Sequence, residues 1–345
     1  MPHRNLVRSY KRSHPAVPRF FYVILGALFL LAQLFTGQAG LAHAAGKKPF
    51  IIGVLTATWG PPPTSVGLRD GLNQLGYREN VDFVIGIRFT QGKISELPQA
   101  ARQLLASGAD LLFTIGTPAT KAAMEASKVV PIIFNSASDP VGSGLINSFS
   151  SPGGNVTGVT EVGVELAGRR LQIFHQMIPD MKKILYVSFL NSQGEKRMAR
   201  LYRETAASLG LTVVVKKVKT QQEARKILFD PSFRSYDGII SPRKPDLNIM
   251  GFILIASSRH KIPTMFGDSF MLEDGRGLAS YGASWRETGL QSARLVEKIM
   301  RGTHPSNIPV EANSKIELVI NLKVAKRLGL KIAPEMMYRA DRLIR

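Results

Sequence analysis

The feature that most constrains this chain is a regular alternation of short β-branched and aliphatic runs with stretches of helical period. The runs occupy residues 50–55, 83–89, 111–115, 132–134, 156–159, 184–189, 211–215, 238–240, 262–266 and 277–281. Between the first two, Val66, Leu68, Leu72 and Leu75 line one helical face that stops at Gly76, a residue suited to a helix C-terminus. The device recurs with Leu97, Ala101, Leu104 and Leu105 before Gly108, and with Leu290, Ala293, Val296 and Ile299 before Gly302. Strands alternating with helices of this length build parallel sheets from βαβ units. About ten strands are too many for one small sheet, and 345 residues carry apolar material for two cores. The pattern predicts an α/β protein with two doubly wound, parallel-sheet lobes.

The first 44 residues stand apart from that pattern. Arg4, Arg8, Lys11, Arg12 and Arg19 precede a 16-residue apolar run at 20–35, and small residues follow, ending in Ala42-His43-Ala44. A basic start, an apolar middle and an A-x-A end are the layout of a secretory signal peptide. The run falls short of the roughly 20 residues that span a bilayer. Cleavage after Ala44 and release to the periplasm is the expectation, with an uncleaved single-pass anchor as the alternative. The chain has no cysteine, so it is not expected to be a lipoprotein, and disulfides, thiolate metal sites and cysteine nucleophiles are excluded with it.

Charge needs weighing, because 45 Lys and Arg stand against 25 Asp and Glu, a net +20. Nucleic acid is one partner for such a surface. The basic clusters are short, however, such as Lys182-Lys183 and Lys216-Lys217, and neither interleaved aromatics nor zinc-finger spacing accompanies them. An exported protein uses its charge better on an anionic surface or an anionic ligand. No nucleic-acid partner is expected.

In open α/β sheets the ligand sits beyond the carboxyl ends of the strands. After the first run come Thr58 and Trp59. After the third comes Gly116-Thr117-Pro118, in which Thr117 reads as an N-cap and Pro118 as the first helical residue. Such a helix start offers N–H groups to a carboxylate or phosphate, or is simply capped. After the fourth run Asp139 either caps a helix expected to begin at Val141 or meets a ligand amine. Neither a G-x-G-x-x-G fingerprint nor a phosphate loop is present.

The stretches Thr117-Pro118-Ala119-Thr120, Val130-Pro131-Ile132-Ile133-Phe134, Ser138-Asp139-Pro140-Val141-Gly142-Ser143-Gly144-Leu145 and Pro152-Gly153-Gly154-Asn155-Val156-Thr157-Gly158-Val159 resemble the substrate-binding proteins of a bacterial ABC transporter family. That family includes tryptophan- and tyrosine-binding members. Ile308-Pro309-Val310-Glu311 and Leu318-Val319-Ile320-Asn321-Leu322-Lys323 extend the resemblance toward the C-terminus. It implies a type I periplasmic-binding-protein fold, with a cleft between two lobes joined by three passages near 156–160, 281–283 and 308–311. Lobe one would comprise residues 45–158 and 282–308, lobe two residues 159–281 and 309–345. Position by position, the resemblance implies that Thr58, Trp59, Thr117, Pro118 and Asp139 of lobe one meet Asn191, Ser192 and Asp268 of lobe two around the ligand. Where the aromatic amino-acid binders carry a T-D-N-type loop, this chain has Ser241-Pro242-Arg243-Lys244. The change puts cations in place of an acid, so a cleft-facing Arg243 favours an anionic group on the ligand.

The implied function is the periplasmic substrate-binding component of an ABC importer. Its partners would be an inner-membrane ABC permease and a small polar ligand, an amino acid or related small carboxylate; no cofactor or metal is called for, and a monomer is expected. A sensor delivering its ligand to a membrane receptor would use the same residues. A secreted hydrolase is the weaker reading. Beyond the leader the histidines are only His175, His260 and His304, without metal-ligand spacing, and Gly142-Ser143-Gly144 does not make a nucleophile elbow. Glu273 and Asp274 fall in a Gly-rich turn rather than at paired-carboxylate spacing.

Overall fold

The computed structural model describes residues 48–137, 139–188, 193–241, 249–272, 275–313 and 315–345. The leader assigned to residues 1–44 lies outside them. In chain order come β1 (Phe50–Thr56), α1 (Pro63–Gln74), β2 (Phe83–Phe89), α2 (Leu97–Ala106), β3 (Leu111–Ile115), α3 (Thr117–Ala126), β4 (Ile132–Ala137) and β5 (Val156–Thr160). The chain continues through α4 (Ala167–Met177), β6 (Lys183–Ser188), α5 (Gln193–Ser208), β7 (Thr212–Lys217), α6 (Gln221–Leu228), β8 (Gly238–Ile240), α7 (Met250–His260), β9 (Thr264–Phe266) and β10 (Ala279–Ala283). Then follow α8 (Trp285–Met300), β11 (Glu311–Ala312), β12 (Ile316–Asn321), α9 (Leu322–Leu328), α10 (Pro334–Arg339) and β13 (Arg342–Ile344).

All ten apolar runs overlap strands, and the strands form two sheets. Sheet one has the order β11-β5-β4-β3-β1-β2 and sheet two β13-β12-β10-β9-β8-β6-β7. Pairing is parallel apart from β10 with β12, where Ala279 faces Ile320 and Ala283 faces Ile316. The exception follows from connectivity, since β12 enters sheet two from the lobe-one side and so runs back along its neighbour. Three passages join the lobes: after β5, between β10 and α8, and between β11 and β12. The first and third fall after Thr160 and Ala312, a few residues beyond the stretches expected from the sequence. The cause is that β11 still pairs with β5 in sheet one, Glu311 opposite Val159.

Each sheet is covered on both faces. In lobe one Leu68 and Leu72 of α1 and Ala293 and Val296 of α8 bury one face, while Leu97, Leu104 and Ala119 bury the other. Each fully buried leucine contributes roughly 1.5–3 kcal/mol. In lobe two Leu171, Phe174 and Tyr202 cover one face and Leu228, Phe233 and Ile253 the other. Gly76, at φ +92°, ends α1 in the left-handed conformation that its position predicted.

Helices α1 and α8 lie closer together than side chains permit. A Cβ on Gly67 would fall 1.9 Å from the Arg286 carbonyl oxygen, and one on Gly289 would fall 2.0 Å from that of Thr64. The pairing of 64 and 68 with 289, and of 71 with 290 and 293, makes the two helices run parallel with their N-termini together. Because α1 follows β1, the start of α8 is thereby fixed at the carboxyl edge of sheet one. Among the described residues no helix is long and apolar enough to cross a membrane.

Candidate ligand-binding site

Strand order decides where a doubly wound sheet opens a crevice, because neighbouring connections leave in opposite directions at the switch point. Sheet one runs 2-1-3-4-5, so its switch lies between β1 and β3; sheet two runs 7-6-8-9-10, with its switch between β6 and β8. The loops after β1 and β3 carry Thr58, Trp59, Thr117 and Pro118. Asn191 and Ser192 follow β6 in sequence and Arg243 follows β8; all three lie outside the described residues, as do Glu273 and Asp274.

The first loop is held by its own threonines. Thr56 Oγ1 accepts from the Thr58 N–H at 3.2 Å, and the Thr58 hydroxyl donates to the Gly60 carbonyl at 2.7 Å. Thr58 is buried, whereas Trp59 at the tip is 45% exposed. Trp59 is therefore not a core element, and close to half of its surface is open to a ligand.

At the end of β3 the residue that caps α3 is Gly116, not Thr117. Gly116 sits at φ +84°, ψ 157°, a conformation closed to side-chain-bearing residues, and Thr117 becomes the first helical residue with Pro118 next. No side chain caps this end. Its first-turn N–H groups and the positive end of the helix dipole are thus presented at the switch point of sheet one. The Gly116 N–H donates to the Asn135 carbonyl at 2.9 Å, tying the turn to β4.

The end of β4 is bulged. The register with β5 shifts between Asn135 and Ala137, and Ser136 takes φ +60°, an uncommon conformation for a residue with a side chain. The Ser136 hydroxyl donates to Asn135 Oδ1 at 2.7 Å, while Asn135 Nδ2 donates to the Thr288 carbonyl and Ser292 Oγ of α8. Downstream, the helix expected at Val141 is absent, and residues 140–144 form consecutive turns. Gly142 and Gly144 (φ +72°) within four residues of Pro140 defeat helix propagation. Asp139 serves that turn: Oδ1 accepts from the Gly142 N–H at 2.9 Å.

On lobe two Asp268 follows β9 and is 3% exposed. One oxygen accepts from the Phe270 N–H at 2.7 Å and the other from the Trp285 N–H at 2.8 Å. The carboxylate therefore caps two helical starts at once, the short turn at Ser269–Leu272 and α8, whose own N-cap residue Ser284 makes no side-chain cap. Phe270 stacks on Trp285 with ring centroids 6.2 Å apart and planes at 20°. Trp285 belongs by backbone to a lobe-one helix, yet its side chain is buried in the lobe-two core with Leu185, Phe266 and Val319.

The segment carrying Asn191 and Ser192 follows Ser188. Ser188 donates to Glu195 Oε2 at 2.6 Å, as does Tyr186 at 3.1 Å, so Glu195 of α5 pins the end of β6. Burial pushes the Tyr186 phenol well up, and the Glu195 charge adds to the shift. Deeper in the lobe the buried Arg170 donates to the Tyr202 hydroxyl and to the Tyr281 carbonyl on β10, each at 2.8 Å.

Ser136, Asn135, Phe270 and Trp285 were not singled out by sequence. Phe270 and Trp285 carried the one usable signal: large aromatics next to a strand end and to a passage between lobes. No group of three or more His, Asp or Glu suited to a metal occurs among the described residues.

Two covered, doubly wound sheets joined by three passages, each with a switch point in its strand order, define the two-lobe type I periplasmic-binding-protein architecture. The chain belongs to the ABC transporter substrate binding protein family, whose model matches residues 63–344. This is a family of solute-binding proteins, not enzymes. A tyrosine-binding protein of Clostridioides difficile is 24% identical over 272 residues, covering 77% of this chain and 76% of that one. Among solved structures, an ABC domain from Streptococcus pneumoniae in complex with L-Trp is 27% identical with a TM-score of 0.76. A conserved domain protein of Vibrio cholerae is 26% identical with a TM-score of 0.77. Each of the two structures covers 86% of this chain and is itself matched over 100% of its length.

Proposed function

We propose that the protein is the periplasmic substrate-binding component of an ABC importer, exported through a cleavable leader and handing its ligand to an inner-membrane permease. The ligand class is an amino acid or related small carboxylate. The observation that carries this reading is the uncapped start of α3 at the switch point of sheet one, a donor site for a carboxylate, which follows the strand paired with the one that leads to the exposed Trp59. The tyrosine-binding relative and the L-Trp-bound structural neighbour support an amino acid, and an Arg243 that faces the cleft would favour an anionic group on it. In this reading Thr58, Trp59, Thr117, Pro118 and Asp139 form the lobe-one face of the site, and Asn191, Ser192, Arg243 and Asp268 the lobe-two face.

A thermal-shift screen of the purified protein against amino acids, their aromatic analogues and small carboxylates tests the proposal. A true ligand at a hundredfold over its Kd adds about 2.7 kcal/mol and raises Tm by several degrees. No shift with any member of the panel would overturn the amino-acid reading. With the ligand in hand, small-angle scattering is expected to show a smaller radius of gyration when it is bound, as the lobes close on it.

Trp59→Ala separates binding from folding. Because Trp59 is 45% exposed and belongs to none of the buried clusters of lobe one, unfolding stability is expected to fall by no more than about 1 kcal/mol. Loss of stacking on an apolar ligand part should weaken affinity by roughly tenfold. A marked stability loss with unaltered affinity would assign the ring to the lobe edge instead.

A further inference from the structure

We propose that a second site, beside the third passage between the lobes, binds a small oxyanion, either a carboxylate or a phosphate. A pocket of about 300 Å³ opens there, at the size that small-molecule sites begin to occupy. One wall is α8, with Glu287, Thr288, Gln291 and Arg294; the other is made by Asn313 and Lys315, which stand between β11 and β12. None of these residues is among those assigned above to contact the ligand in the cleft; Thr288 adjoins it through its bonds to Asn135.

The pointer to a ligand is Asn313. It is 6% exposed, and its Oδ1 accepts from the Val162 N–H at 3.0 Å. A backbone donor on one end of the amide fixes that end as oxygen and the other as nitrogen. That nitrogen, Nδ2, is buried with no partner among the described residues. A buried donor left unpaired forfeits its hydration without replacement, so native proteins rarely keep one without a water or ligand to receive it.

Two cations share the pocket with that donor. Lys315 stands 3.7 Å from Glu287, a loose pairing with the lysine side chain 61% exposed. Arg294 pairs with Glu311 at 2.9 Å and is 60% exposed. Exposed pairs of this kind are weak, so either cation is able to turn toward an incoming anion at small cost. A buried amide donor with an ammonium and a guanidinium is an oxyanion's set of partners. Glu311 is already held by Arg294 and Gln291, and Glu287 suits an amine or hydroxyl elsewhere on the same molecule.

Position gives the site its consequence. Helix α8 packs on sheet one, whereas Lys315 leads directly into β12 of sheet two. An anion held by both walls ties the lobes together at the passage and biases how far the cleft closes.

The test is equilibrium titration of the purified protein with inorganic phosphate and, separately, with succinate, at fixed ionic strength. Saturable binding of one or both is expected, and which anion binds distinguishes the phosphate from the carboxylate source. Lys315→Glu should weaken it about tenfold, as should Asn313→Asp, which keeps the acceptor for Val162 but adds a negative charge. Lys326→Glu, an exposed residue of α9 outside the pocket, makes the same charge change and should leave the affinity unchanged. Three results would each overturn the proposal: no saturable binding of either anion, equal weakening by Lys326→Glu, or weakening by Trp59→Ala with Lys315→Glu unaffected. The last would put the anion in the cleft and leave the importer reading intact.

Discussion

Gly289→Val is expected to lower the stability of the protein by about 3 kcal/mol, the upper range for overpacking a tight interface. The added Cβ would fall 2.0 Å from the Thr64 carbonyl oxygen and 2.9 Å from the Leu68 nitrogen. Both are backbone atoms inside α1, so no side chain is able to swing away; the helices must separate. Separation strips contacts from Leu68, Leu72, Ala293 and Val296 together, because all four pack in the same cluster over sheet one. Gly71→Ala meets the Ala293 side chain at 2.6 Å and the Leu290 carbonyl at 2.9 Å and should act in the same direction. Gly251→Ala is the control: it lies in α7 with nothing within 4 Å, and removing a helical glycine there should be neutral or stabilising by up to about 1 kcal/mol. Equilibrium urea unfolding reads all three. An unchanged midpoint for Gly289→Val would mean that the two helices do not meet at backbone contact.

Asp268→Ala is the second large effect, with an expected stability loss of about 3 kcal/mol from two buried N–H groups that lose a charged acceptor. Both lost bonds, to Phe270 and Trp285, sit where lobe two meets the start of α8. Asp268→Asn keeps one acceptor oxygen and turns an amide toward the other N–H, so it should lie between Ala and the wild type. Ligand affinity is expected to fall in both variants, since the carboxylate sets the lobe-two edge of the proposed site. Affinity measured beside unfolding separates the two roles. An Asn variant with native stability and weakened binding would make Asp268 a ligand contact alone, and native affinity in both variants would remove it from the site.

Much of the architecture was written in local pattern, and the exceptions share a cause. Runs such as 50–55 and 111–115 are apolar on both faces because helices cover both sides of a parallel sheet, so their place in chain order told the fold. Leu318-Val319-Ile320 has the same composition, but nothing in it marks that β12 runs antiparallel to β10. Direction comes from the passage that delivers the strand, not from its residues. Asp139-Pro140 carries the usual signature of a helix start, and two glycines in the next four residues outweighed it. At Thr117 the error was one residue, because Gly116 alone tolerates the positive φ of that turn. Their places after strand ends made Trp59 and Asp268 legible as candidates. Trp285 was not, since its burial depends on a core contributed by residues a hundred positions away, such as Leu185.

Trp285 has a mechanical consequence. A side chain anchored in one body on a backbone fastened to the other cannot be carried far by either, so the pivot of any lobe rotation has to pass close to it. Spacing between points near residue 285 should then stay constant through opening and closing, while displacement grows with distance from it, greatest at the far edge strands β2 and β7. Because the chain contains no native thiol, pairs of introduced cysteines carrying spectroscopic labels can map that gradient directly.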